Sequence, residues 1–211
     1  GDQGYIDKVS QSVTDFYKEL ESNSMHAKTS QPTPGDFRRQ YQYLNSYYDS
    51  IISLHIPEKL SGTYQSACVA AKNTSGANIS VIDGKNMSVG LGLCIEEVAK
   101  IMKESNLSHE QIVIKINKII KNTKVFTAVK DLSYAVKGGR VPKAAKTISN
   151  IFNFKPILSI GEDGSMKKAG IYFGKKNIPQ KLFNMINKKI DSRVKYNVLI
   201  GHANSIKDGE K

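Results

Sequence analysis

Ile51-Ile52-Ser53-Leu54-His55-Ile56-Pro57-Glu58-Lys59-Leu60-Ser61-Gly62-Thr63-Tyr64-Gln65-Ser66-Ala67 is the stretch on which the fold turns. It opens as a β-prone run and is stopped by Pro57, which cannot continue a strand ladder. From Gly62 to Lys72 the residues are mostly small, which suits a helix lying close on a sheet. A second β-prone run, Ile79-Ser80-Val81-Ile82, ends in Asp83-Gly84. Two such runs joined by a helix predict buried parallel strands, the βαβ arrangement.

Outward from this unit, helix signals recur. Ser12-Val13-Thr14-Asp15 and Thr33-Pro34-Gly35-Asp36 both read as capping boxes, the second with Pro34 at the first helical position. Phe16, Tyr17 and Leu20 follow the first, and Phe37, Tyr41 and Leu44 the second, at helical spacing. Further helices are predicted over Ser88 to Glu104 and, capped by Ser108 with Gln111, over His109 to Asn122. Beyond that the pattern predicts a strand at Lys124 to Val129, a helix at Pro142 to Phe152, and a strand at Phe154 to Ile160. A Gly161-Glu162-Asp163-Gly164 turn then leads to a strand through Ile171 to Phe173. A helix over Pro179 to Ile190 and a last strand over Tyr196 to His202 complete the reading. Strands joined by a tight turn predict a partly antiparallel sheet, so a domain boundary is expected near Thr123.

Composition narrows the function classes. No run approaches the roughly 18 consecutive apolar residues of a membrane span, and no apolar signal-peptide core opens the sequence, which predicts a cytoplasmic protein. Cys68 and Cys94 sit among small or apolar residues and read as packed thiols. His26, His55, His109 and His202 are scattered and show no metal-ligand spacing, so no metal and no cofactor is expected. Gly90-Leu91-Gly92 lacks the third glycine and the strand-to-helix setting of a dinucleotide fingerprint. Charge is lopsided: residues 1–99 carry 8 Lys/Arg against 11 Asp/Glu, and residues 100–211 carry 23 against 8. A basic half attracts nucleic acid, anionic headgroups or an acidic protein partner, and charge alone does not choose among them.

Two hydroxyl-rich loops, Lys28-Thr29-Ser30-Gln31-Pro32 and Lys59-Leu60-Ser61-Gly62-Thr63-Tyr64, stand at helix starts. A helix N-terminus leaves N–H groups unpaired and carries partial positive charge, so Gly62 and Thr63 are able to hold an oxyanion without a cationic side chain. By residue type, plain capping by Ser61 and Thr63 is the commoner role, and Thr29 has the same alternative. Their position after a β-run points the other way, because open α/β sheets bind ligands at the carboxyl ends of their strands. Lys137-Gly138-Gly139-Arg140 reads as a hinge or inter-domain clamp, with Arg140 offering a planar fork of donors. Nine Lys or Arg from Lys167 to Lys195 face only Asp191; such a run is usually a solvated face, and its density here also suits a docking surface.

Together these motifs resemble the bacterial DegV family of fatty-acid-binding proteins. The resemblance rests on Thr29-Ser30-Gln31-Pro32, Leu60-Ser61-Gly62-Thr63-Tyr64-Gln65-Ser66-Ala67, Val81-Ile82-Asp83, Gly138-Gly139-Arg140 and Lys155-Pro156-Ile157-Leu158. It implies an α/β protein with an N-terminal lobe on a parallel sheet (residues 1–123) and a C-terminal lobe on a mixed sheet (residues 124–211). A long-chain fatty acid would be buried in a tunnel between them. It implies that Thr29 and Ser61 bind the carboxylate, with the Gly62 N–H as third donor and no catalytic residue, and that a separate fatty-acid kinase is the partner, docking on the basic half. An enzyme is not expected; the alternatives are a subunit of a small-molecule kinase or transferase, or a basic nucleic-acid-binding protein, which the lack of a stacking motif disfavours. The sequence departs from the family pattern in four places. It lacks an opening strand with an Asp-Ser pair and a closing His-x-Gly-Pro-Gly-type segment, so both lobes look truncated. Gly84 stands where Ser is usual, and Ile171-Tyr172-Phe173-Gly174-Lys175 replaces a segment that commonly carries arginine.

Overall fold

The computed structural model describes residues 4–6, 9–22, 27–104, 106–129, 131–141, 154–174 and 177–210. These divide into two compact units, one of residues 31–201 and one of residues 1–30 with 202–211.

In the larger unit, Thr33 caps α2 (Pro34–Asn45) through the reciprocal box expected of it: its side chain accepts from the Asp36 N–H, and Asp36 accepts from the Thr33 N–H. Phe37, Tyr41 and Leu44 turn inward and pack with Ile51, Ala67 and Ala70. Strand β1 (Ile51–His55) runs parallel to β2 (Ile79–Asp83), with Ile51 opposite Ile79 and His55 opposite Asp83. Helix α3 (Thr63–Lys72) is the crossover, and its buried Ser66, Ala67 and Ala70 are small enough to let it sit close. On the other face lie α4 (Ser88–Glu104) and α5 (His109–Asn122), the latter capped by Ser108 and Gln111. Cys94, Val98, Ile112, Ile116 and Ile120 form the core there with Ile82. Burial pushes the Cys94 thiol up from its ordinary value, as befits a packed thiol.

The second sheet is antiparallel, in the order β3 (Phe126–Ala128), β4 (Phe154–Ile160), β5 (Met166–Phe173), with a register shift at Ile157/Leu158. Ile157, Tyr172 and Ile178 are its buried centre, closed by α7 (Ile178–Asn187). Between β3 and β4 comes the short α6 (Ser133–Lys137). The helix expected at Pro142 to Phe152 lies outside the described residues.

Two expectations are corrected. β1 and β2 were expected to be buried, yet only Ile51 and Ile82 are fully so, because a two-stranded sheet leaves both edges uncovered. Tyr196 to His202 is not a strand: it is irregular, with Val198 77% and Ile200 72% exposed. An apolar run becomes a strand only beside a ladder partner, and no described strand pairs with it.

In the smaller unit, α1 (Val13–Ser22) begins at Ser12, whose Oγ accepts from the Asp15 N–H at 3.1 Å. Its last element is one turn, α8 (Ile206–Gly209), where Ser205 Oγ donates to Asp208 at 2.7 Å.

Candidate functional site

Parallel pairing sends the exits of β1 and β2 to one edge of their sheet, and the loop from Pro57 to Gly62 rises there. It is a closed turn, since the Leu60 and Ser61 N–H groups both donate to the Pro57 carbonyl, at 2.9 and 3.1 Å. Gly62 then starts α3. Ser61 Oγ accepts from the Thr63 N–H at 3.2 Å and lies 2.8 Å from Thr63 Oγ1. Capping and ligand binding are therefore compatible here: the Thr63 N–H is satisfied internally, while helix geometry leaves the next first-turn N–H groups, on Tyr64 and Gln65, outside the intrahelical ladder. Ser61 and Gly62 are both half-exposed. A Cβ on Gly62 would stand 2.7 Å from Gln31 Nε2, so the Gln31 amide lies directly over this turn. That brings one residue of the Thr29–Pro32 motif to the Ser61–Gly62 turn. Thr29 itself is exposed, in irregular chain of the smaller unit, whereas Ser61 and Gly62 belong to the larger.

A polar chain that the sequence reading missed lies at the same end of β1. Tyr41 on α2 donates to Ser53 Oγ at 2.7 Å, and Ser53 Oγ is 2.6 Å from His55 Nε2. Ser53 Oγ thus joins the phenol on one side to the imidazole on the other. Phe37 meets the His55 ring edge-on at 5.0 Å. Burial lowers the His55 pKa below its ordinary value, holding the ring neutral. Alternation alone hid this chain, since Ser53 and His55 share a strand face but Tyr41 arrives from another element. The His55 carbonyl accepts the Gly84 N–H at 2.8 Å, and a Cβ on Gly84 would come within 2.6 Å of that oxygen. Glycine at 84 is what lets the ends of β1 and β2 approach so closely.

Arg140 Nε donates to the Leu60 carbonyl at 3.2 Å, a contact between residues of one compact unit. Elsewhere, Ile171, Tyr172, Phe173, Lys181, Met185 and Lys188 line an open groove of about 440 Å³ between β5 and α7, with no residue in common with the Pro57–Gly62 loop. Among the described residues no group of three His, Cys, Asp or Glu side chains could hold a metal, and no helix is long and apolar enough to cross a membrane.

Comparison with known proteins adds the decisive observation: the family model "Uncharacterised protein, DegV family" matches residues 1–211. The chain belongs to the DegV family. A DegV domain-containing protein of Staphylococcus aureus (strain COL) is 37% identical over 163 residues, covering 77% of this chain and 57% of that protein. A second, from strain MRSA252, is 33% identical over 98% of this chain and 73% of its own length. Among solved structures, a fatty-acid-binding DegV family protein from Thermus thermophilus is 28% identical with a TM-score of 0.76, covering 87% of this chain and 65% of that one. A fatty-acid-binding DegV family protein from Streptococcus agalactiae is 25% identical with a TM-score of 0.85, covering 98% of this chain and 72% of that one. This chain thus spans between 57% and 73% of the lengths of these relatives.

Proposed function

We propose that this DegV family chain is a cytoplasmic carrier, not an enzyme, that buries a long-chain fatty acid in a tunnel between an N-terminal lobe (residues 1–123) and a C-terminal lobe (residues 124–211). Its carboxylate is held by the Thr29 hydroxyl, the Ser61 hydroxyl and the Gly62 N–H. The observation that carries this reading is the Ser61–Gly62 turn: a hydroxyl and a helix start presented together at the carboxyl edge of a parallel sheet, in a chain related to fatty-acid-binding proteins. The role of Thr29 rests on the family pattern around Thr29-Ser30-Gln31-Pro32.

The chemistry is consistent. A carboxylic acid of pKa about 4.5 is ionised at neutral pH and needs donors to replace its hydration. Burying about a dozen methylenes contributes on the order of 10 kcal/mol before ordering costs, so the tail supplies most of the affinity and the head fixes orientation. The partner proposed for the loaded carrier is a fatty-acid kinase that docks on the basic half.

Organic extraction of the purified protein, followed by mass spectrometry, is expected to release stoichiometric fatty acid. In Thr29→Ala/Ser61→Ala the acyl content should fall at least tenfold, because each hydrogen bond to a charged group is worth about 1.5–3 kcal/mol. Retention at the wild-type level by the double variant would remove the head-group assignment.

A further inference from the structure

The Pro57–Gly62 loop is touched from the second half of the chain at three successive places. Asp163, in the turn between β4 and β5, has Oδ2 3.1 Å from Lys59 Nζ, across 104 positions of sequence. Gly164, in the same turn, has φ of +77°, and a Cβ there would lie 3.3 Å from the Cβ of Pro57, whose side chain is fully buried. Arg140 supplies the third contact by donating to the carbonyl of Leu60, the residue before Ser61.

Each gripping group is itself held in place. Asp163 Oδ1 accepts from Ser165 Oγ at 2.8 Å and from the Ser165 N–H at 3.2 Å; the Ser165 hydroxyl first, then Lys59, then the Ser165 N–H keep the carboxyl far below the ordinary carboxylate range. Arg140 also donates from Nη1 to the Gly138 carbonyl, which fixes its guanidinium plane. Lys59 and Asp163 are 50% and 44% exposed, so their pair is weak and screened by salt. The grip is therefore reversible.

We infer that Lys59, Asp163 and Arg140 are positioning residues, which hold the Pro57–Gly62 loop so that Ser61 and Gly62 face one anion, and thereby set how fast that anion leaves. This rests on the head-group role proposed for Ser61 and Gly62. An incidental surface ion pair would leave the loop indifferent to its loss.

Two measurements on the full chain separate these cases. Hydrogen exchange without added ligand should show the backbone amides of residues 58–62, above all the hydrogen-bonded Leu60 and Ser61, opening about two- to fivefold faster in Asp163→Asn and up to roughly tenfold faster in Arg140→Ala, with α5 unchanged. Oleate dissociation should accelerate by similar factors, and in the wild type it should accelerate with added salt. The charge-swapped Lys59→Glu/Asp163→Lys should recover most of the protection that either single variant loses. Unchanged exchange at 58–62 in both Asp163→Asn and Arg140→Ala, or a swap no better than its single variants, overturns the inference. If no variant, wild type included, binds oleate, the carrier reading fails, while the exchange results still decide whether the grip exists.

Discussion

The two sheets use the same physics to opposite ends. In the parallel pair β1–β2, both strands leave at one end, so the α3 crossover returns Gly84 to the same end as His55 and the Ser61–Gly62 turn. In the antiparallel set β3–β4–β5, neighbouring strands run in opposite directions, so their exits fall at opposite ends. What the antiparallel sheet offers instead is a tight hairpin whose tip carries Asp163 and Gly164 to the Pro57–Gly62 loop. One sheet collects polar groups at one end, and a hairpin of the other reaches the loop that rises there.

Core deletion should break this contrast most severely. Ile116 is 1% exposed at the centre of the α4–α5 layer behind β2, and Ile116→Ala should cost about 2–5 kcal/mol in urea unfolding. Exchange protection should be lost in β1 and β2 ahead of the β4–β5 hairpin, which has its own centre at Ile157 and Tyr172; simultaneous loss would mean the two sheets unfold as one.

Next is Gly84→Ser, which places there the residue that the family resemblance leads one to expect. Its Cβ would stand 2.6 Å from the His55 carbonyl and 2.7 Å from Leu91 Cδ1, so the ends of β1 and β2 must part, at about 1–3 kcal/mol by the same unfolding assay. No measurable loss would show that this edge relaxes easily.

The mildest effect is expected from pH. The folded His55 has a lowered pKa, so the unfolded chain takes up the proton first as acid is added. Stability from the neutral ring is present above the ordinary histidine value of about 6.5 and declines as pH falls from there through the folded value. In His55→Gln the thermal midpoint should depend less on pH over this window, and an unchanged profile would remove His55 as the cause.

Much of this architecture was legible from local chemistry. Thr33 with Asp36 and Ser108 with Gln111 announce helix starts because a cap is decided within four residues. The hairpin at Gly161–Gly164 is equally local. The Ser61–Gly62 turn was legible as a helix start of small and hydroxyl residues. What stayed hidden depends on groups distant in sequence: Lys59 meets Asp163 and Tyr41 meets Ser53 only once the chain has folded. Tyr196 to His202 failed for a related reason, since its apolar run Val198-Leu199-Ile200 suits a strand but cannot supply the neighbour that a strand requires.

The paired hydroxyls of Ser61 and Thr63 carry one more consequence. Two hydroxyls 2.8 Å apart share one hydrogen and keep one to offer, and rotation about their C–O bonds lets that chain of donors run in either direction. An arriving anion can draw the free hydrogen outward; after it departs, the same hydrogen can turn to water with no charge stranded. A lysine in that position would be left as an unpaired cation after every release. Under the proposed head-group role, uncharged groups that swivel leave no stranded charge in either state.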